Sequence, residues 1–117
     1  MALSAIGDMK NVLKHLTTTS ADLYECPAST RAEIKFALVS NVDGTNDADV
    51  TLSILDSSAS VTVYTAKNIV VPANAALKPL GDLVGLTLKP GDKIQGLASN
   101  DGDLDIILSV VEYTVTA

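Results

Sequence analysis

What this sequence lacks first is any means of cross-linking itself. It has one cysteine, Cys26, so an internal disulfide is excluded and stability has to come from packing or from association with other chains. It is also poor in aromatics, with no tryptophan, one phenylalanine and three tyrosines (Tyr24, Tyr64 and Tyr113), while 47% of the residues are apolar. The core must therefore be aliphatic. Basic residues are outnumbered 8 to 14 by acidic ones, giving a net charge of −6 and a pI near 4.4, with no cluster of Lys and Arg to offset it. A chain of that charge repels a phosphate backbone, and no nucleic-acid partner is expected. No stretch approaches the roughly 20 apolar residues of a membrane span, and the first residues, MALSAIGDMKNV, carry no basic region followed by an apolar run of about 7–15 residues. The expectation is a soluble protein made in the cytoplasm, with no membrane partner. At 117 residues it has material for one domain with one core.

What is present is a period of two. In RAEIKFALVS, Ala32, Ile34, Phe36 and Leu38 fall on one face and Arg31, Glu33 and Lys35 on the other, the pattern of a half-buried strand. Val50, Leu52 and Ile54 repeat it, as do Leu104, Ile106, Leu108 and Val110. Between the strands lie NVDGTNDAD, DSSAS, PANA, KPGDK and NDGD, all rich in turn-forming residues. In Lys89-Pro90-Gly91-Asp92 the proline presets one φ and the glycine supplies the positive φ of a type II turn. About seven or eight short strands broken by such turns predict an all-β fold, a single antiparallel β-sandwich of jelly-roll or immunoglobulin-like form. Its core is expected to hold Ile34, Phe36, Leu38, Val50, Leu52, Ile54, Leu104, Ile106, Leu108 and Val110.

The N-terminal segment admits two readings. Leu3, Ile6, Met9, Leu13 and Leu16 recur at helical spacing, but Gly7 interrupts them and Thr17-Thr18-Thr19 follows. We favour a short arm over residues 1–15, with a first strand from about Lys10 to Thr19 and a second over Asp22 to Cys26; the alternative is a helix over residues 3–14. The remainder, 16–117, is the sandwich domain. The outer face of the last strand is not cleanly polar, since Ile107, Val111, Tyr113 and Val115 share it with Asp105 and Ser109. Such a face calls for a cover, either another copy of the chain or the arm folded back. The candidate interface residues are accordingly Leu3, Ile6, Met9, Leu13, Ile107, Val111 and Tyr113.

Candidate chemistry is thin. Two acidic clusters, Asp43/Asn46/Asp47/Asp49 and Asn100/Asp101/Asp103/Asp105, raise the question of calcium, but neither has the glycine and glutamate placement of a calcium loop. Asn, Asp and Gly are what tight connections use, so these are read as turns and no metal is expected. His15 is the only histidine and would have to serve Cys26 or a serine from a separate segment. Cys26 reads more simply as a small buried residue at a strand end. GDLVGL, at 81–86, lacks the lysine of a phosphate loop. No catalytic residue, no cofactor and no enzymatic activity is expected.

Five segments in order, LTTTSADLYECPAST, ALVSNVDGTNDADVTLSILD, VVPANAAL, LTLKPGDKIQGLAS and GDLDIILSVVEY, resemble a family of small β-sandwich virion structural proteins of tailed bacteriophages. The resemblance covers nearly all of the chain after Leu16, and Tyr24, Cys26, Pro27, Ala28, Leu88, Pro90, Gly91 and Asp92 match its structural positions. It implies a virion location and, as partners, the major capsid protein or other virion proteins. It also implies a homo-oligomer, with a trimer expected for a capsid decoration or cement subunit; a tail, sheath or baseplate module contacting a receptor or glycan is the other implied role.

Overall fold

The computed structural model describes residues 2–3, 7–78 and 86–116, and for residues 2, 3, 115 and 116 the backbone only. Among the described residues the elements are all strands: β1 (Ala2–Leu3), β2 (Asp8–His15), β3 (Ala21–Glu25), β4 (Thr30–Asn41), β5 (Ala48–Asp56), β6 (Val61–Val71), β7 (Ala76–Leu77), β8 (Thr87–Leu88), β9 (Lys93–Ala98) and β10 (Leu104–Thr116). One sheet of six strands runs β1-β10-β4-β7, with β2 also on β10 and β8 also on β4; the other runs β3-β9-β5-β6. Every pairing is antiparallel. β1 and β2 pair with successive parts of β10, and β7 and β8 with opposite ends of β4, so each couple behaves as one interrupted strand. The remaining connections cross from sheet to sheet, except the β5–β6 hairpin. This is the strand order of a jelly roll, two Greek keys folded on each other, and it selects that topology over the immunoglobulin-like one.

The two sheets enclose an aliphatic core. Leu16, Leu23, Ile34, Val39, Val50, Leu52, Val71, Leu88, Ile94, Leu104, Ile106, Leu108 and Val110 are all buried in it, and no aromatic ring is among the buried core residues described. Each such side chain contributes roughly 1.5–3 kcal/mol relative to exposure. The period of two is thus confirmed on β5 and β10, where Val50, Leu52, Leu104, Ile106, Leu108 and Val110 are buried and Ile54 packs against the rim.

On β4 the expected register fails halfway. Ala32 and Ile34 face inward, but from there on the buried positions are Ala37, Val39 and Asn41; Phe36 is 36% exposed and Leu38 only half-buried. The cause is a β-bulge: Val110 pairs with Ile34 and Ser109 with Phe36, leaving Lys35 as the extra residue. One inserted residue exchanges the faces of everything that follows it. The sequence hides this, because Phe36, Ala37, Leu38 and Val39 are apolar in both parities.

The N-terminal segment is extended. β2 runs beside β10 from Asp8 opposite Glu112 to His15 opposite Asp105, so the helical alternative does not hold where the chain is described. Only Val12 of β2 packs against the core, and Leu16, buried just beyond it, donates its amide to the Leu104 carbonyl at 2.8 Å. The strand ends at His15 rather than Thr19 because Thr17 and Thr18 turn away to take Ala98 N–H and the Asp101 carboxylate as partners. The type II turn forms as expected, with Asp92 N–H to Lys89 O at 3.0 Å and Gly91 at φ 87°.

The bulge makes a quantitative expectation. Ile34→Ala should cost about 2–5 kcal/mol in chemical denaturation, whereas Phe36→Ala, on the far side of the bulge, should cost about 1 kcal/mol. Equal losses at the two positions would contradict the observed register.

Candidate functional site

In the acidic loops Asp43, Asp47 and Asp101 are engaged by backbone amides. Asp43 accepts the amides of Thr45 (2.8 Å) and Asn46 (3.2 Å), contacts that hold its carboxyl below the usual carboxylate range. Asp101 accepts Thr18 N–H at 2.7 Å and Asp47 accepts Ala73 N–H at 3.1 Å. Asp92, almost fully buried, takes the amides of Lys89 (2.9 Å) and Ser57 (3.0 Å) and the Lys89 ammonium (3.3 Å), tying the 89–92 turn to the β5–β6 turn. Burial alone would raise its carboxyl; the two amides and the ammonium outweigh that and hold it low.

Nor do the reactive side chains converge. His15 Nδ1 lies 2.6 Å from Asp105 at the end of the sandwich where β10 begins, while Cys26 sits at the other end, its amide bonded to Asp92 O where β9 begins. The Cys26 Sγ is buried near the carbonyls of Thr30 (3.4 Å) and Leu88 (3.6 Å), and burial pushes the thiol up, away from the nucleophilic thiolate. The Tyr24 hydroxyl donates to Glu112 at 2.6 Å, bridging the two sheets rather than facing solvent.

What the structure does assemble is an apolar outer face on the six-stranded sheet. Cross-strand partners point to the same side, and the register places Leu13, Ile107 and Leu38 in one row across β2, β10 and β4. The next row is Asn11, Ser109 and Phe36, followed by Met9, Val111 and Glu33. Leu13 is 70% exposed, Met9 60% and Ile107 39%. Val111 is the exception: it is buried, because the chain at Gly7 lies against it and against the Tyr113 ring so closely that a Cβ there would clash with Val111 Cγ1. Tyr113 is half-buried by the same contact. Leu3 pairs with Val115 through its backbone, its side chain lying outside the described residues, and so does Ile6 altogether.

Five of the seven candidate interface residues are therefore side by side on one face. Sequence reasoning missed Phe36 and Leu38, which join them only because the bulge turns them outward. The one available signal was the run of four apolar residues at 36–39, too many for a strand with a single buried face.

No protein-family model and no curated protein sequence matches the chain. Solved structures do. The chain is similar to the subunit of Bacillus endospore appendages, described as a family of disulfide-linked pili, at 16% identity, over 99% of this chain and 93% of that one, with a TM-score of 0.58. It is also similar to the Drosophila NLP core, whose structure is described as giving insight into pentamer formation and histone binding, at 12% identity over 89% and 96% of the two chains, with a TM-score of 0.52. At such identities the likeness establishes the shared fold.

Two outcomes follow from the loops. Asp92→Asn should destabilise the protein by about 1–3 kcal/mol at neutral pH, since it leaves a buried acceptor site with the wrong chemistry. Because the folded carboxyl titrates below its unfolded value, the stability it adds is present above about pH 4 and is lost as pH falls further, so the gap between the two proteins should close on acidification. A gap unchanged from pH 7 to about pH 3 would mean that the Asp92 charge contributes nothing. Calcium or a chelator should leave the Tm unchanged, because Asp43, Asp47 and Asp101 already hold backbone amides; a binding ion present at about 100 times its Kd would add about 2.7 kcal/mol and be plainly visible.

Proposed function

We propose that this protein is a non-enzymatic structural subunit that works by adhesion, docking the outer face of its six-stranded sheet onto a neighbour in a virion. The observation that carries the reading is the exposed set Met9, Leu13, Phe36 and Ile107, brought together across β2, β10 and β4 on one face of an acidic protein. A contiguous apolar face of this kind on a soluble chain marks a contact surface. In this reading Val111 and Tyr113 belong to that surface, and Leu3 and Ile6 are proposed to add to the contact. The resemblance of the five sequence segments to tailed-phage virion proteins supplies the setting, and a capsid decoration or cement protein bound to the major capsid protein fits a chain with one compact sandwich. Two of the structural neighbours are described in terms of assembly, one as pili and the other as a pentamer, which supports a jelly roll used as a building block and a homo-oligomer as its working form. A trimer is the form proposed here.

Leu13→Glu combined with Ile107→Glu is the direct test. Both sites are exposed, and since the two glutamates would face each other across β2 and β10, stability should fall by about 1 kcal/mol with the fold retained. Native mass spectrometry should show the oligomer reduced to monomer, and binding to particles stripped of this protein should fall at least tenfold, which corresponds to about 1.4 kcal/mol. Retained assembly and full occupancy would remove this face from consideration. Copy number separates the two virion roles: hundreds per particle fits the capsid, and a low multiple of three or six fits a tail or baseplate module.

A further inference from the structure

The outer face of the opposite, four-stranded sheet differs in kind. Cross-strand register sets Tyr64, Ser53 and Gln95 in one row across β6, β5 and β9. These residues, with Thr51, Lys67 and Asn68, line a groove of about 430 Å³. β6 carries an extra residue at two places in its pairing with β5, and the second bulge puts Asn68 at φ 52°. That curls the strand over the sheet, so that Thr51 and Ser53 are nearly buried although they point outward. Asn68 is fixed there by its own amide donating to Thr51 Oγ1 at 3.1 Å and by the Thr51 hydroxyl donating to Asn68 Oδ1 at 3.3 Å.

What remains unoccupied in the groove is a mixed set of donors and acceptors. Gln95 uses its Nε2 on Asp22 at 2.8 Å and keeps its carbonyl; the Asn68 NH₂ and the hydroxyls of Ser53 and Tyr64 have no protein partner among the described residues. The Tyr64 ring is 53% exposed and carries the Lys67 ammonium 5.0 Å from its centroid, which steadies it. Among the described residues Lys67 is the only cation in the lining, and none of them supplies an arginine fork to hold a carboxylate, sulfate or phosphate. An exposed aromatic surface beside uncommitted hydroxyl and amide groups suits a ligand that presents ring C–H on one side and hydroxyls on the other.

We propose that this groove binds a neutral oligosaccharide, with the sugar ring stacked on Tyr64 and its hydroxyls hydrogen-bonded to Ser53, Asn68 and Gln95. The site does not rest on the assembly reading, because it lies on the other side of the sandwich. A subunit docked through the six-stranded sheet would present this face outward, where a cell-surface glycan can reach it.

The test is a titration of the full ¹⁵N-labelled chain with chitotriose, cellotriose and maltotriose, and with a sulfated heparin tetrasaccharide as the acidic contrast. At least one neutral trisaccharide should shift amides confined to β5, β6 and β9 around Ser53, Tyr64, Asn68 and Gln95, with a Kd of about 1 mM. Tyr64→Ala should weaken it about tenfold while Tyr64→Phe retains most of the affinity, and both spectra should otherwise match the parent. The Leu13→Glu/Ile107→Glu protein should bind as the parent does, so failure of the assembly reading leaves this result standing. No shift from any neutral sugar at about 20 mM, shifts located elsewhere, undiminished binding by Tyr64→Ala, or preferential capture of the heparin fragment in the groove would each overturn the proposal.

Discussion

Both edges of β10 are hydrogen-bonded, to β2 on one side and to β4 along residues 104–114 on the other, and the whole sandwich is hung on that arrangement. Its inward side chains, Leu104, Ile106, Leu108 and Val110, are fully buried and form the floor against which the second sheet packs. With no disulfide and no aromatic anchor in the described core, cohesion rests on aliphatic area and on the regularity of these ladders. Its other side is mixed, with Ile107, Val111 and Tyr113 set among Asp105 and Ser109. The domain's own core covers one side only, and that asymmetry leaves Ile107 and Leu13 exposed side by side on the outer face.

Much of this architecture was legible in the residues. Alternation on β5 and β10 identified inward positions, because each of these strands keeps one parity apolar and places polar residues in much of the other. The 89–92 turn could be named by type, since Pro90 and Gly91 restrict the backbone on their own. β4 was only half legible: an inserted residue is invisible where both parities are apolar, and Phe36, the largest side chain in the strand, drew the register the wrong way. Beyond the bulge Ala37 and Val39 take the inward places, beside Leu108 and Ile106 of β10 in the same sheet. The choice between jelly roll and immunoglobulin-like topology was not legible at all, since strand order is set by contacts between segments far apart in sequence.

On the outer face of the six-stranded sheet Ile107, Val111 and Tyr113 were legible because they break the polar parity of β10, whereas Met9 and Leu13, picked out by their spacing in the N-terminal segment, join them only once β2 pairs with β10. The opposite groove was not legible. It depends on two bulges in β6 that aim Asn68 at Thr51, and neither leaves a mark in composition or period. Tyr64 and Asn68 become neighbours of Gln95 only once three strands are laid side by side. Bulges thus shape both outer faces, turning an aromatic outward on one and enclosing hydroxyls on the other.

Pairing β2 with β10 also dictates when the protein can fold. His15 meets Asp105 across a separation of 90 residues, and β4 waits for the same distant strand. Closing loops of that size is entropically slow, and little of the six-stranded sheet can form on a ribosome before β10 has emerged. Until then the aliphatic faces of β4 and β5 stand open, so nascent chains crowded on one message are exposed to mispairing with each other. The rate at which β10 arrives would then govern how much of the chain reaches the folded state.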